Sequence, residues 1–372
     1  MDFDTSFWWG ALAGGVVGLV LERLLGRPLD ILVHHSKRIL RRHRSEQFLK
    51  KAKTDAAVFS VGDDYVYVHA FNPNGLTIRT QILSPQDWTN RWEELPDDLR
   101  PAETQHLLHE LATARQELES DHSKWNEERF GLSRIRHGRD GSLDRPIFEL
   151  KFHPTDFAAS TVLRRWYMER RRSGQLLNLS HEDFSTVLPG MSHSFGVNAT
   201  VLTSDDQLIL VRRSARSSSG RASRHVSVNE GMNATDLDAD GNPDVVRALA
   251  RGLQEELGIR GTQREQVTFH SLVLDATRYQ WALLGHVDLR DSDITAAEVD
   301  VLRKTGQSPD AWENQQLYTI PCTPKAVLEE LSSQHDWIAH GWTNLLLSSY
   351  IMFPERQRDF TREFHKAKLR SR

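Results

Sequence analysis

Cysteine is almost absent: Cys322 is the one thiol in 372 residues. A disulfide within the chain is therefore excluded, as is a thiolate cluster for zinc or iron–sulfur, and a reducing compartment is the expected setting. Neither sign of charge dominates. Lys and Arg total 47 against 51 Asp and Glu, a net charge of -4, so nothing pulls the whole chain toward nucleic acid and no nucleic-acid partner is expected. With 38% hydrophobic and 26% charged residues, the chain fits neither wholesale disorder nor a polytopic membrane protein. Its length exceeds one compact domain, so two folded units with an appendage are expected.

What is present begins with one apolar run. Phe7 to Leu21 carries no charge, and Leu24-Leu25 extends it past Glu22 and Arg23. A bilayer core asks for roughly 20 apolar residues, so the charged pair belongs at one interface and Trp8-Trp9 at the other. A signal peptide would carry positive charge before the run, whereas Asp2 and Asp4 stand there. Arg23, Arg27, Lys37, Arg38, Arg41, Arg42 and Arg44 follow instead. By the positive-inside rule they hold the rest of the chain in the cytoplasm, and they suit anionic membrane lipid. Residues 1–54 are thus expected to be a single-pass membrane anchor with a basic juxtamembrane segment. Gly10, Gly14 and Gly18 recur at four-residue spacing, which would let two such helices approach in a homodimer, or is simply a short run of small residues.

Residues 55–190 read as an accessory α+β unit. Val58–Val68 and Gly75–Leu83 are expected strands, and Ala102–Lys124, with Leu107, Leu108, Leu111 and Leu118, is an expected surface helix. Ile147 to Phe152 alternates like a strand, and Thr161–Arg172 reads as a basic amphipathic helix. Its Arg164, Arg165, Arg170, Arg171 and Arg172 could face lipid or phosphate, or be a solvated face. Leu188-Pro189-Gly190 marks a boundary, and residues 191–372 form the second unit.

In that unit Phe195–Thr203 and Gln207–Arg212 are expected strands joined by Ser204-Asp205-Asp206, with His225–Val228 a third. Then comes a helix from Val245 to Ile259. Val245, Leu249, Leu253 and Leu257 share one stripe, and Arg251 lies beside Glu255 as Gly252 lies beside Glu256. Gly258 supplies the stop. An apolar face flanked by a carboxylate edge is what a hard divalent cation needs when water and phosphate oxygens complete its shell.

Arg251-Gly252-Leu253-Gln254-Glu255-Glu256-Leu257-Gly258-Ile259 resembles the Nudix hydrolase signature, a glycine, a glutamate, then R-E-U-x-E-E-x-G-U with U aliphatic. The resemblance covers roughly residues 192–350, where Trp281–Val287 matches a later core strand and Trp337–Tyr350 the closing helix. It implies a Nudix-type α/β/α sandwich with a mixed sheet, preceded by the accessory α+β unit and the membrane helix. It also implies Mg²⁺ or Mn²⁺ on Glu255 and Glu256, with Glu230 reaching back as a third carboxylate, and Arg251 as the positioning cation. Gly231 would be the loop glycine, and Glu298 or Glu313 the distant base. Arg212 and Arg213, at the end of a strand close to the site, are read as contacts to substrate phosphates or as surface residues. Gly252 stands where the family has glutamate, and residues 233–243 stretch the spacing so that the upstream glutamate is missing. Two functions follow: metal-assisted hydrolysis of a nucleoside diphosphate-linked compound, or a degenerate Nudix sensor or effector that binds such a compound at the membrane. Within the insertion, Asp236, Asp238, Asp240 and Gly241 begin like a calcium loop, but Arg247 stands where its closing glutamate belongs. The insertion is therefore read as a solvated acidic turn whose Asp244 caps the helix.

Overall fold

The computed structural model describes residues 56–61, 64–71, 76–83, 104–120, 126–139, 146–172, 190–215, 222–276, 278–332, 336–353, 357–360 and 362. The expected anchor over 1–54 lies outside these residues. Among the described residues, no helix is long and apolar enough to cross a membrane.

The fold is mixed α/β around a mixed sheet. The chain opens with β1 (Ala56–Val61), β2 (Asp64–Ala70) and β3 (Thr77–Ile82), then α1 (Thr104–Ser120), β4 (Glu128–Arg139), β5 (Pro146–Asp156) and α2 (Phe157–Arg172). After residue 190 come β6 (Phe195–Leu202), β7 (Gln207–Arg213), β8 (Arg224–Val226), β9 (Val228–Gly231) and α3 (Val245–Gly252). The chain continues through β10 (Val267–Asp275), β11 (Gln280–Asp288), α4 (Ala296–Lys304), β12 (Asn314–Pro321), α5 (Pro324–Ser332) and α6 (Ala339–Met352).

The large sheet runs β1-β2-β10-β11-β6-β7-β12, with β8 on β7 and β9 on β6. Only the β11–β6 pair within it is parallel among the described strands. Two-residue alternation divides its side chains between two cores. Ile209, Leu272 and Leu283 face the first core, with Leu249, Leu253 and Leu257 of the α3 region. Leu208, Leu210, Val273 and Leu284 face the second, with Val327 of α5 and Leu345 of α6. Covered on both faces, β6 is buried at every position, as a central strand must be.

The strands β3-β5-β4 form a separate sheet whose apolar side joins the first core. Phe152 of β5 meets Phe195 of β6 edge to face, ring centroids 4.9 Å apart, and Tyr167 Oη of α2 donates to Ala276 O at 2.7 Å. The region before residue 190 is thus packed into the rest on two levels, because β1 and β2 extend the large sheet itself.

One strand expectation needs correction, and one strand was not expected. Val58–Val68 is a hairpin rather than one strand, since β1 and β2 pair antiparallel from Ala56↔His69 to Val61↔Asp64. The twelve-residue β4 gives no clean alternation in sequence. A register shift between Leu132 and Arg134 explains this: a bulge moves Ile135 onto the face already used by Phe130 and Leu132, and so breaks the period of two.

Candidate functional site

The helix expected over 245–259 forms in two parts. Asp244 caps it, its side chain accepting from the backbone N–H of Val246 and Arg247, and Gly258 ends it at φ +78. Between them the turn Leu253–Leu257 widens to a π-helical pitch, a local insertion that is common at functional sites. The stripe Val245, Leu249, Leu253 and Leu257 is buried in the first core.

Arg251 is the hub of the polar face. Its Nε and Nη2 grip Asp236 as a fork, at 2.9 Å to Oδ1 and 2.8 Å to Oδ2. Its Nη1 lies 3.1 Å from Glu230 Oε1 and donates to Glu255 Oε2 at 2.9 Å, while Nη2 also donates to Gly231 O at 2.7 Å. Burial opposes its charge, but the bond to Asp236 and the charges of Glu230, Asp236 and Glu255 raise its pKa above the ordinary arginine value. The solvated-turn reading therefore fails at Asp236, which is 1% exposed and is the main partner of Arg251. Asp238 follows the turn reading: its Oδ1 accepts from the backbone N–H of Asp240 and Asn242.

Glu256, next along the helix, turns inward. Its Oε1 accepts from Asn229 N at 2.9 Å and its Oε2 from Asn314 Nδ2 at 2.8 Å. Burial pushes its pKa up to about 7. Glu230 is pushed up to about 8 by burial, against the pull of Arg251 and with help from Glu256 and Glu255. Burial also raises Glu255.

Gly252 has a structural cause. A Cβ there would lie 2.7 Å from Val228 Cγ1 and 2.9 Å from Glu230 Cβ. The volume that a side chain at 252 would fill is occupied by the side chain of Glu230, which reaches it from β9.

Arg251, Glu255, Glu256, Glu230, Gly231 and Arg213 all line one cavity of about 270 Å³. Arg213, 3% exposed, pairs with Glu313 at 2.9 Å, and Glu313 also lines the cavity. The structure places two other expected residues outside the cavity lining. Arg212, one step along β7 and so on the opposite face, lies away from the cavity and donates to Ala222 O at 2.8 Å. Glu298 is exposed and closes the capping box of α4 with Thr295, whereas Glu313 lines the cavity. Sequence reasoning missed Asn314 and, in the cavity lining, Asn229, Arg129 and Arg278, and it gave Asp236 a different role.

A resident divalent cation does not fit the side chains as they are held. Among the described residues, no group of three or more His, Cys, Asp or Glu could hold a metal ion. The reason is local: Arg251 sits among Glu230, Asp236 and Glu255, and both oxygens of Glu256 are taken.

The raised carboxylates carry a pH dependence. Glu230 and Glu256 keep their protons in the folded state above the unfolded value of 4.5, up to about 8 and about 7. Between those limits the folded chain binds more protons than the unfolded one, so stability falls as pH rises. At 1.36 kcal/mol per pKa unit the loss is roughly 3 kcal/mol for Glu256 alone. Urea unfolding at pH 5 and pH 8 should show this decline, and Glu256→Gln should remove most of that share. A stability flat across this range in the parent chain would contradict it.

No known protein family matches the chain, and no curated protein does. Among solved structures, the crystal structure of DR0079 from Deinococcus radiodurans is similar over 39% of this chain and 76% of that one, at 17% identity and a TM-score of 0.27, a likeness too slight to carry an argument about fold or function.

Proposed function

We propose that the region after residue 190 is a Nudix-like domain that binds a nucleoside diphosphate-linked compound in the cavity beside α3, as a sensor or effector. One observation carries this reading: the three charged residues of the run, Arg251, Glu255 and Glu256, line the same cavity as Glu230 and Gly231, although they come from separate elements. The binder is favoured over the hydrolase because Arg251 and two asparagine groups already engage the carboxylates that would hold a cation. With the apolar run Phe7–Leu21 as an anchor, the domain would report its ligand at the cytoplasmic face of a membrane.

Hydrolysis is the second reading, and a different feature favours it. Glu230 and Glu256 hold protons near neutral pH, as a general acid or base at a phosphoanhydride must. The two readings part in one experiment on the full chain in detergent, with ADP-ribose, ADP and UDP-sugars as probes, with and without Mg²⁺ or Mn²⁺. A ligand at a hundred times its Kd stabilises the fold by about 2.7 kcal/mol, which a melting curve resolves. The double variant Glu255→Gln with Glu256→Gln should remove any metal-dependent part of the shift while leaving circular dichroism unchanged. No shift with any nucleoside diphosphate compound defeats the nucleotide reading. Turnover of about 1–1000 per second defeats the binder-only form.

A further inference from the structure

The cavity has a cationic wall that the Nudix-like run does not supply. Arg129 of β4, Arg164 of α2 and Arg278, just before β11, all line it. Two of the three are neutralised within the fold. Arg278 Nη1 lies 2.6 Å from Asp275 Oδ2 and 3.3 Å from Asp64 Oδ2. Arg129 Nη2 lies 2.9 Å from Glu127 Oε2, and its guanidinium sits 4.8 Å over the Phe157 ring.

Arg164 differs. It is half-buried, and among the described residues its guanidinium makes no hydrogen bond and no ion pair. Burial lowers its pKa, the charges of Arg278 and Arg129 lower it further, and Asp275 opposes them. A partly desolvated cation with no hydrogen-bonded partner is costly, and a charge-assisted bond to an anion offsets that cost. The carboxyl groups of Glu230, Glu255 and Glu256 line the same cavity and offer an anion no cation of their own.

We propose that Arg164, with Arg129 and Arg278, forms a phosphate-binding subsite through which the region before residue 190 takes part in ligand recognition. Guanidinium forks match the oxygens of a phosphoryl group two at a time, and Arg164 adds its charge to a wall where Arg129 and Arg278 are already paired. The subsite gives the ligand a polarity: one phosphoryl group is held at Arg164 and the remainder runs toward α3. This deepens the nucleotide reading and rests on it for the identity of the whole ligand, but pyrophosphate alone satisfies the subsite.

The test is titration calorimetry on the full chain with inorganic pyrophosphate and with ADP-ribose, in the parent and in Arg164→Ala and Arg164→Lys. Pyrophosphate should bind the parent, about tenfold or more weakly in Arg164→Ala, the scale of one lost charge-assisted bond. Arg164→Lys, which keeps the charge but not the fork, should fall between. At equal concentration, pyrophosphate should raise the melting temperature of the parent by more than that of Arg164→Ala. Equal affinity of parent and Arg164→Ala for pyrophosphate, or no binding by the parent, overturns the subsite. If Arg164→Ala fails to fold, unchanged affinity in Arg164→Lys overturns it instead. ADP-ribose binding that ignores both substitutions leaves the nucleotide reading standing and removes the subsite. Arg164-dependent pyrophosphate binding without binding of any nucleotide does the reverse.

Discussion

Arg251→Ala is expected to destabilise the fold by about 3–5 kcal/mol, the range found when one partner of a buried ion pair is removed. The loss falls chiefly on Asp236, which is 1% exposed and keeps only the Asn233 N–H bond at 2.9 Å once the fork is gone. Glu230 and Glu255 also lose their shared cation. Arg251→Lys should recover a minor part, because an ammonium cannot reproduce the two parallel bonds to one carboxylate. Urea unfolding followed by circular dichroism measures both variants. Adding Asp236→Asn to Arg251→Ala should return a large share of the loss, since no buried charge is then left unpaired. A cost near 0.5 kcal/mol for Arg251→Ala would mean that the four-way arrangement is an exposed surface pair and would remove Arg251 from its central place.

Gly252 carries the second large effect, and its sign opposes expectation from helix propensity. Glycine inside a helix is about 1 kcal/mol worse than alanine, so Gly252→Ala should stabilise a free helix. Here the new methyl would lie under 3 Å from Val228 Cγ1 and Glu230 Cβ. Val228 is fully buried and stiff at χ1, and Glu230 Cβ is fixed by its strand, so neither can yield cheaply. Overpacking of this kind costs about 1–3 kcal/mol, and the net result should be destabilising. Gly252→Glu should cost more, because it also sets a second carboxylate against Glu230. The informative variant is the exchange Gly252→Glu with Glu230→Gly, which puts the carboxylate at the family's helical position and the glycine on β9. Its stability should exceed the sum of the two single effects by more than 1 kcal/mol, the coupling expected of residues competing for one space. Strict additivity of the two would show that they do not share that volume.

The helix was legible from its residues: the stripe, the Asp244 cap, the Gly258 stop and the Arg251–Glu255 pair are all set by spacing along one element. What spacing cannot show is which surface another segment will cover. Asp236 sits among Asp238 and Asp240 and carries the same polar signature, yet it is buried because Arg251 reaches it from α3 and Asn233 is held by Glu127 of the preceding region. Arg212 and Arg213 alternate along β7, so only one can face the cavity, but the choice is made by which sheet face receives α3. Glu298 and Glu313 are equivalent as sequence and differ because one closes a helix cap and the other ends the short helical turn Ala311–Glu313 and pairs with Arg213. Arg164 was one of five arginines on a basic helix. Its place became visible only when that helix met the Tyr279 side of the large sheet.

The antiparallel pairing of β2 with β10, from Ser271↔Ala70 to Asp275↔Val66, has a consequence for any shortened chain. A fragment beginning at residue 191 would keep the cavity-facing helix but would leave β10 as a free margin, with unpaired amide and carbonyl groups along Ser271–Asp275 and with Leu272, Val273 and Leu274 beside them. An open apolar strand of this kind is a template for recruiting a second chain. The hairpin β1–β2 is in that sense a cover strip against self-association, a task separate from ligand recognition and carried by a stretch of sequence more than a hundred residues before the domain it protects.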